Sequence, residues 1–340
     1  MSVSQNGRVT VMGAGSWGTA LAVHLAGAGR EVTLWGRDPA LVDQMRARRA
    51  NPSYLPDLVF PAGLRPADAM GDALRGAGHV VLAIPSHGLR HSVRAAAEHV
   101  PPGAVIVSAV KGLEVQSHKR MSEVIEEETR GRHPVVVLSG PSFAVEVARG
   151  LPTALVAASN DPTAVAAVQR EFRSNAFRMY ASDDVVGVEM GAALKNVIAI
   201  AVGVVESLAL GHNARSAVIT RGLAEISRLA FAMGGRRETL AGLSGLGDLV
   251  LTCTGDLSRN RHVGIELGRG RALDEILAGM RMVAEGVKTT GAALALARQY
   301  DVELPIVEQM QDVVEGRKTP REAVECLMLR PQRDELDGVQ

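Results

Sequence analysis

Arg8-Val-Thr-Val-Met-Gly13-Ala-Gly15-Ser-Trp-Gly18-Thr-Ala20 decides the fold of this chain. A short apolar, β-branched run ends on a glycine-rich turn and passes into an alanine-rich helix. Gly13 and Gly15 allow a tight turn whose backbone approaches a pyrophosphate closely, and Gly18 allows the helix to pack against the strand. The N–H groups at the start of that helix, with the positive end of its dipole, then face the phosphates. A bare GxGxxG carries little weight in a glycine-rich chain. Here a strand precedes it, a helix follows it, and a second strand, Glu31-Val-Thr-Leu-Trp35, comes at the expected distance. Gly13, Gly15 and Gly18 are the cofactor-binding candidates of this turn.

Apolar runs alternate with helical patterns through the first half of the chain. The strand candidates are Val9–Met12, Val32–Trp35, His79–Ile84, Val105–Ala109, Val135–Leu138, Ala154–Ala158 and Arg178–Tyr180. Helix-length segments such as Ser16–Ala28, Gly88–His99 and Pro162–Arg173 lie between several of them. That alternation predicts a doubly wound α/β domain with a parallel sheet covered on both faces, over residues 1–185. Asn51–Pro66, with its prolines, reads as a loop excursion. From Val186 the period becomes helical, so residues 186–330 are expected to form an all-helical substrate domain, followed by a frayed tail over 331–340.

Composition narrows the function. At 340 residues the chain suits two domains. With 46% apolar but only 3% aromatic residues, packing rests on Ala, Val, Leu, Ile and Met. Lys plus Arg and Asp plus Glu are both 37, a balance that argues against nucleic acid or an anionic membrane as a bulk partner. Cys253 and Cys326 form no metal-ligand spacing, nor do the histidines, so no metal is expected. The polar start Met1–Gly7 does not read as a secretory signal. Met190–Leu210 is apolar enough to resemble a membrane span, but Lys195, Asn196 and Glu206 make a buried protein helix the better reading.

Candidate chemistry collects at strand ends and in the helical half. Arg37, after the second strand, can pair with a ribose 2′-phosphate and favours NADP with NAD tolerated; Asp38 beside it is an alternative ribose contact. Lys111, following Val105–Val110, ends a strand of the first domain and offers an ammonium to a substrate phosphate. Gly140-Pro141-Ser142 offers backbone N–H and a hydroxyl. Lys195 sits in a helix apolar nearly all round, where desolvation pushes its pKa toward a value useful for proton transfer; a lysine snorkelling at the helix rim is the plainer alternative. Asp248 occupies a glycine-rich turn, and Ser258-Arg259-Asn260-Arg261 places two cations on a helix where at most one enters a site.

Taken together, GAGSWGTA (13–20), KGLE (111–114), SGPSFA (139–144), ALKNVIAI (193–200), GLGDLVLTC (245–253), SRN (258–260) and VAEGVKT (283–289) resemble the NAD(P)-dependent glycerol-3-phosphate dehydrogenases of the bacterial type. The resemblance implies hydride transfer between NAD(P)H and dihydroxyacetone phosphate, giving sn-glycerol 3-phosphate for phospholipid synthesis. It implies Lys195 as proton donor and acceptor. It implies Lys111, Gly140, Ser142, Lys195, Asp248, Ser258, Arg259 and Asn260 around the substrate. Cofactor contacts would come from Ser16, Trp17, Arg37, Lys111, Ala144, Arg259, Val283 and Glu285, and the protein would be a cytoplasmic homodimer. The rival readings are another lysine-using hydroxy-acid dehydrogenase and a non-catalytic dinucleotide sensor.

Overall fold

The computed structural model describes residues 8–280, 282–332 and 334–335. The reading of Met1–Gly7, and most of the tail expected over 331–340, lie outside them. Ten strands form: β1 Arg8–Met12, β2 Val32–Trp35, β3 Ala50–Asn51, β4 Leu55–Val59, β5 Leu64–Ala67, β6 Ala77–Leu82, β7 Val105–Ser108, β8 Val135–Ser139, β9 Thr153–Ala158 and β10 Phe177–Ser182. Eight of them make one sheet in the order β10-β9-β8-β7-β6-β1-β2-β5, and β3 pairs with β4 separately. The order reverses at β1, which lies between β6 and β2. Ligands bind outside the carboxyl ends of strands at such a reversal, and the Gly13–Gly18 turn leaves β1 at that end.

Two expectations need correction. The sheet is not wholly parallel, because β9 runs antiparallel to β8 while every other neighbouring pair in it is parallel. The segment from Asn51 to Pro66 is not simply a loop, since β4 and most of β5 fall within it and β5 extends the sheet beside β2. Prolines hide such strands, yet an edge position tolerates a residue without an N–H.

Alternation along the inner strands sends side chains to two separate cores. Val81, Val107 and Val136 belong to one cluster, whereas Val80, Leu82 and Ile106 belong to the other. A sheet buried on both faces explains why these strands read as continuous apolar runs rather than as alternating ones.

The chain divides into two compact units, residues 1–110 with 121–185, and residues 111–120 with 186–340. The second unit departs from a simple division by position: Lys111–Arg120 packs with the helical unit, so Lys111 does not belong to the sheet unit as its place after β7 led us to expect. No strand occurs after Ser182 among the described residues. The helix Val185–Ser207 forms the centre of the helical unit, its side chains buried from Gly187 to Val205. It is the described helix long and apolar enough to cross a membrane, but 89% of its apolar window is buried inside the protein.

Its neighbour, the helix Arg259–Gly268, approaches at backbone distance. A Cβ on Gly264 would lie 2.0 Å from the Ile200 carbonyl oxygen, and one on Gly203 would lie 2.1 Å from that of Arg261. Glycine at both positions therefore sets the spacing between the helix bearing Lys195 and the one bearing Arg259 and Asn260. Elsewhere in the unit, the buried Glu225 carboxylate accepts the N–H groups of Ile306 and Val307 at 2.8 and 3.2 Å. It thereby caps the helix Pro305–Val314, whose first N–H groups have no partner within the helix.

Candidate active site

In the sheet unit, the turn after β1 has the shape a diphosphate needs. Gly13 has φ +115°, and a Cβ there would lie 2.5 Å from the Ala83 carbonyl oxygen. A Cβ on Gly18 would collide with the Gly13 carbonyl, whereas one on Gly15 would meet open space. The helix Ser16–Gly27 starts with no side-chain cap and no acidic residue in its first turn. The buried indole N–H of Trp17 lacks a hydrogen-bond partner. An uncapped helix start, an orphaned donor and an open face at Gly15 fit the anionic bridge of a dinucleotide.

Arg37 stands exposed just beyond β2. Asp38 is already engaged, because its Oδ1 accepts the Ala40 N–H at 3.0 Å and so caps the helix Pro39–Arg48. That leaves Arg37 as the stronger candidate for the adenosine ribose end. Gly140 follows β8, Ser142 Oγ donates to the Gly140 carbonyl at 2.9 Å, and Ala144 opens the helix Ala144–Ala148.

In the helical unit, three residues far apart in sequence meet. Lys195 Nζ donates to Asp248 Oδ1 at 2.5 Å, and Lys111 Nζ donates to Asp248 Oδ2 at 2.7 Å. One carboxylate thus binds two ammonium groups, and it is almost fully buried, its side chain 1% exposed. Lys195 Nζ also donates to Thr252 Oγ1 at 2.8 Å, while the Thr252 hydroxyl donates its own proton to the Asp248 carbonyl at 2.7 Å. Asp248 and Thr252 lie four apart on the helix Asp248–Thr254, which puts them on one face. Thr252 was not among the predicted site residues; its spacing from Asp248 was the available signal.

Burial drives the Lys195 pKa from its usual 10.5 down to about 7. The negative charge of Asp248 opposes that fall, and the positive charge of Lys111 adds to it. A snorkelling lysine would keep its ordinary basicity, so the buried Lys195 does not fit that plainer alternative.

The remaining predicted residues of this unit form a second group. Asn260 Nδ2 donates to Asn196 Oδ1 at 2.9 Å, and Asn260 Oδ1 accepts the Gly286 N–H at 3.0 Å. Asn196 neighbours Lys195 and Gly286 follows Glu285, so this chain of amides ties two candidate positions to one frame. Ser258 caps the helix of Arg259, accepting the Arg261 N–H at 3.3 Å. Arg259 keeps an exposed part, while desolvation of its guanidinium lowers its pKa and the charge of Glu285 acts in the opposite sense. Arg261 is committed elsewhere, held by both Glu206 oxygens at 2.8 Å. Val283 is half-buried just before the helix Glu285–Gln299.

Residues 8–165 match the family described as NAD-dependent glycerol-3-phosphate dehydrogenase N-terminus, and residues 184–325 match the one described as its C-terminus. A glycerol-3-phosphate dehydrogenase [NAD(P)+] of Koribacter versatilis is 52% identical over 97% of this chain and 99% of its own. The enzyme of that name from Acidobacterium capsulatum is 52% identical over 96% and 99%. Among solved structures, glycerol-3-phosphate dehydrogenase from Coxiella burnetii superposes with a TM-score of 0.92 at 38% identity, covering 96% of this chain and 99% of that one. Identity of this order along almost the whole of both sequences leaves room for only one assignment: the chain belongs to the NAD(P)-dependent glycerol-3-phosphate dehydrogenases.

Proposed function

We propose that this protein reduces dihydroxyacetone phosphate to sn-glycerol 3-phosphate, reversibly, with NADPH or NADH, and so supplies glycerophospholipid synthesis. The observation that carries the reading is the buried ammonium of Lys195, held by Asp248 and Thr252 with its pKa brought to about 7. The nicotinamide supplies the hydride when bound. Gly13, Gly15, Ser16, Trp17 and Gly18 hold its diphosphate, Arg37 meets the 2′-phosphate, and Ala144, Val283 and Glu285 contribute further contacts.

Lys195 has three N–H donors, and two are taken by Asp248 and Thr252. The third is left for the C2 oxygen of the ketone, to which Lys195 passes a proton during reduction. In the reverse direction the neutral amine takes that proton back. Lys111 and Arg259 neutralise the phosphate, with Gly140, Ser142, Ser258 and Asn260 orienting the rest of the substrate. A cytoplasmic homodimer is part of the same reading, and equilibrium sedimentation tests the dimer.

The test is the loss of NADPH absorbance with dihydroxyacetone phosphate and with dihydroxyacetone. Remote phosphate binding serves to position the reacting carbon, so the phosphorylated ketone should be turned over far better. Equal kcat/KM for the two overturns the phosphate clamp. Better turnover of 3-hydroxy acids with NADP+, read as the appearance of NADPH absorbance, selects the hydroxy-acid reading, and NADPH binding without turnover of any keto-phosphate selects the sensor.

The pH profile follows from Lys195. Reduction needs the ammonium, so kcat should be level below about 7 and fall tenfold per pH unit above it. Oxidation of glycerol 3-phosphate needs the amine and should show the mirror profile. A reduction rate independent of pH from 6 to 9 removes Lys195 as the proton donor. Arg37→Ala should raise KM for NADPH about 10- to 100-fold, the worth of a charge-assisted hydrogen bond, with KM for NADH little changed. Parallel losses for both cofactors would give Arg37 a general role and return Asp38 to consideration.

A further inference from the structure

The segment Lys111–Arg120 is a closed excursion within the helical unit. Leu113 and Arg120 form an antiparallel bridge, and the Glu114 N–H donates to the Lys119 carbonyl at 3.0 Å. Inside it, Ser117 Oγ donates to Glu114 Oε2 at 2.5 Å. Leu113 enters the apolar core alongside Met190 and Leu194. The excursion is held at both ends by ion pairs. Its first residue, Lys111, is on Asp248, and its last, Arg120, donates to Glu189 Oε2 at 2.7 Å.

The second pair is buried, with side chains 14% and 3% exposed. Ions taken out of water are costly, and a loop that needed only to be tethered would be tethered more cheaply by apolar contacts such as Leu113 already makes. The position of the pair is informative. Glu189 lies on the same helix as Lys195, and Arg120 bridges to Leu113, two residues from Lys111. A continuous series of contacts therefore runs from the helix of Lys195, through Glu189 and Arg120, to the second ammonium on Asp248.

We propose that the Arg120–Glu189 pair holds Lys111 in register on Asp248, which makes Arg120 and Glu189 positioning residues of the site. The consequence for substrate rests on reading Lys111 as a phosphate-binding cation. Glu189→Gln removes the anchoring charge. Released from its register, Lys111 spends less time on Asp248, meets substrate phosphate less often and becomes more accessible to small electrophiles.

The experiment uses the full chain and two readouts. Lysine acetylation by acetic anhydride, followed by mass spectrometry, reports Lys111 relative to the exposed Lys288 and requires no turnover. In Glu189→Gln, Lys111 should be modified about tenfold faster than in the wild type, and KM for dihydroxyacetone phosphate should rise about tenfold. In a Lys111→Ala background the same Glu189→Gln change should add nothing to that KM, since the two act through one contact. Glu189→Asp and Arg120→Lys keep the charges, should show intermediate values, and carry the test where Glu189→Gln does not fold. Unchanged Lys111 acetylation in a folded variant, or KM effects that add fully in the double mutant, overturns the proposal and leaves the pair a stabilising contact. Failure of the wild type to turn over dihydroxyacetone phosphate would instead count against the proposed reaction, while the acetylation rates still decide the positioning.

Discussion

Lys195→Met should give a folded protein that binds NADPH as before and reduces dihydroxyacetone phosphate about 10²–10⁴-fold more slowly, the usual worth of a positioned proton donor. Methionine matches the length and apolar surroundings of the buried lysine stem. The fold tolerates the change for a reason visible in the structure: Asp248 keeps Lys111 at 2.7 Å, so deleting one ammonium leaves no unpaired buried carboxylate. The loss should fall on kcat, with KM moving little, because the missing proton transfer belongs to the transition state. The variant should also lose the pH dependence centred near 7 that Lys195 confers. Single-turnover kinetics with NADPH fluorescence separates binding from chemistry, and near-normal kcat would make Lys195 a structural residue.

Asp248→Asn should be the most destabilising substitution in the site. The carboxylate is 1% exposed and accepts both lysines, so a neutral amide leaves the Lys111 ammonium without its counter-charge and turns Lys195 toward the neutral amine. Breaking a buried pair by removing one partner typically costs about 3–5 kcal/mol. Asparagine keeps the shape, which isolates the charge from packing. The urea midpoint should therefore fall with the slope unchanged. The negative charge of Asp248 is what holds the Lys195 pKa up against burial, so any remaining reductase activity should decline at a pH below 7. A variant as stable as the wild type, with its pH midpoint in place, would mean that Asp248 is not the shared counter-ion.

Much of the fold was legible because periodicity is a local property. The seven apolar runs named from sequence each overlap a strand, and the change to a helical pattern near Val186 coincides with the start of the helix Val185–Ser207. What escaped was non-local. β5 is short, contains Pro66 and joins the sheet only by pairing with β2, and nothing in residues 153–158 announces that β9 reverses against β8. The site divides in the same way. Lys195 stood out because a cation in an apolar helix is expensive wherever it occurs, and Lys111 at a strand end and Asp248 in a glycine-rich turn were candidates by position, to which the resemblance added a place near the substrate. Neither could say that one carboxylate bridges both lysines, that Thr252 takes a second N–H of Lys195, or that Asp38 is occupied as a helix cap.

From consecutive residues alone came the nucleotide-binding turn, the order of sheet and helical halves, the family resemblance and the expectation that Lys195 carries the proton. Each rests on local signals, single or repeated along the chain: glycine spacing, apolar period, short motifs or a charge among apolar neighbours. Tertiary structure alone decided that Lys111 packs with the helical unit rather than with the strand it follows, and that Arg120 meets Glu189. Those outcomes depend on which buried charges find partners across 69 and 137 positions of chain. Pairing at that range is set by the packing of whole helices, and no local pattern records it.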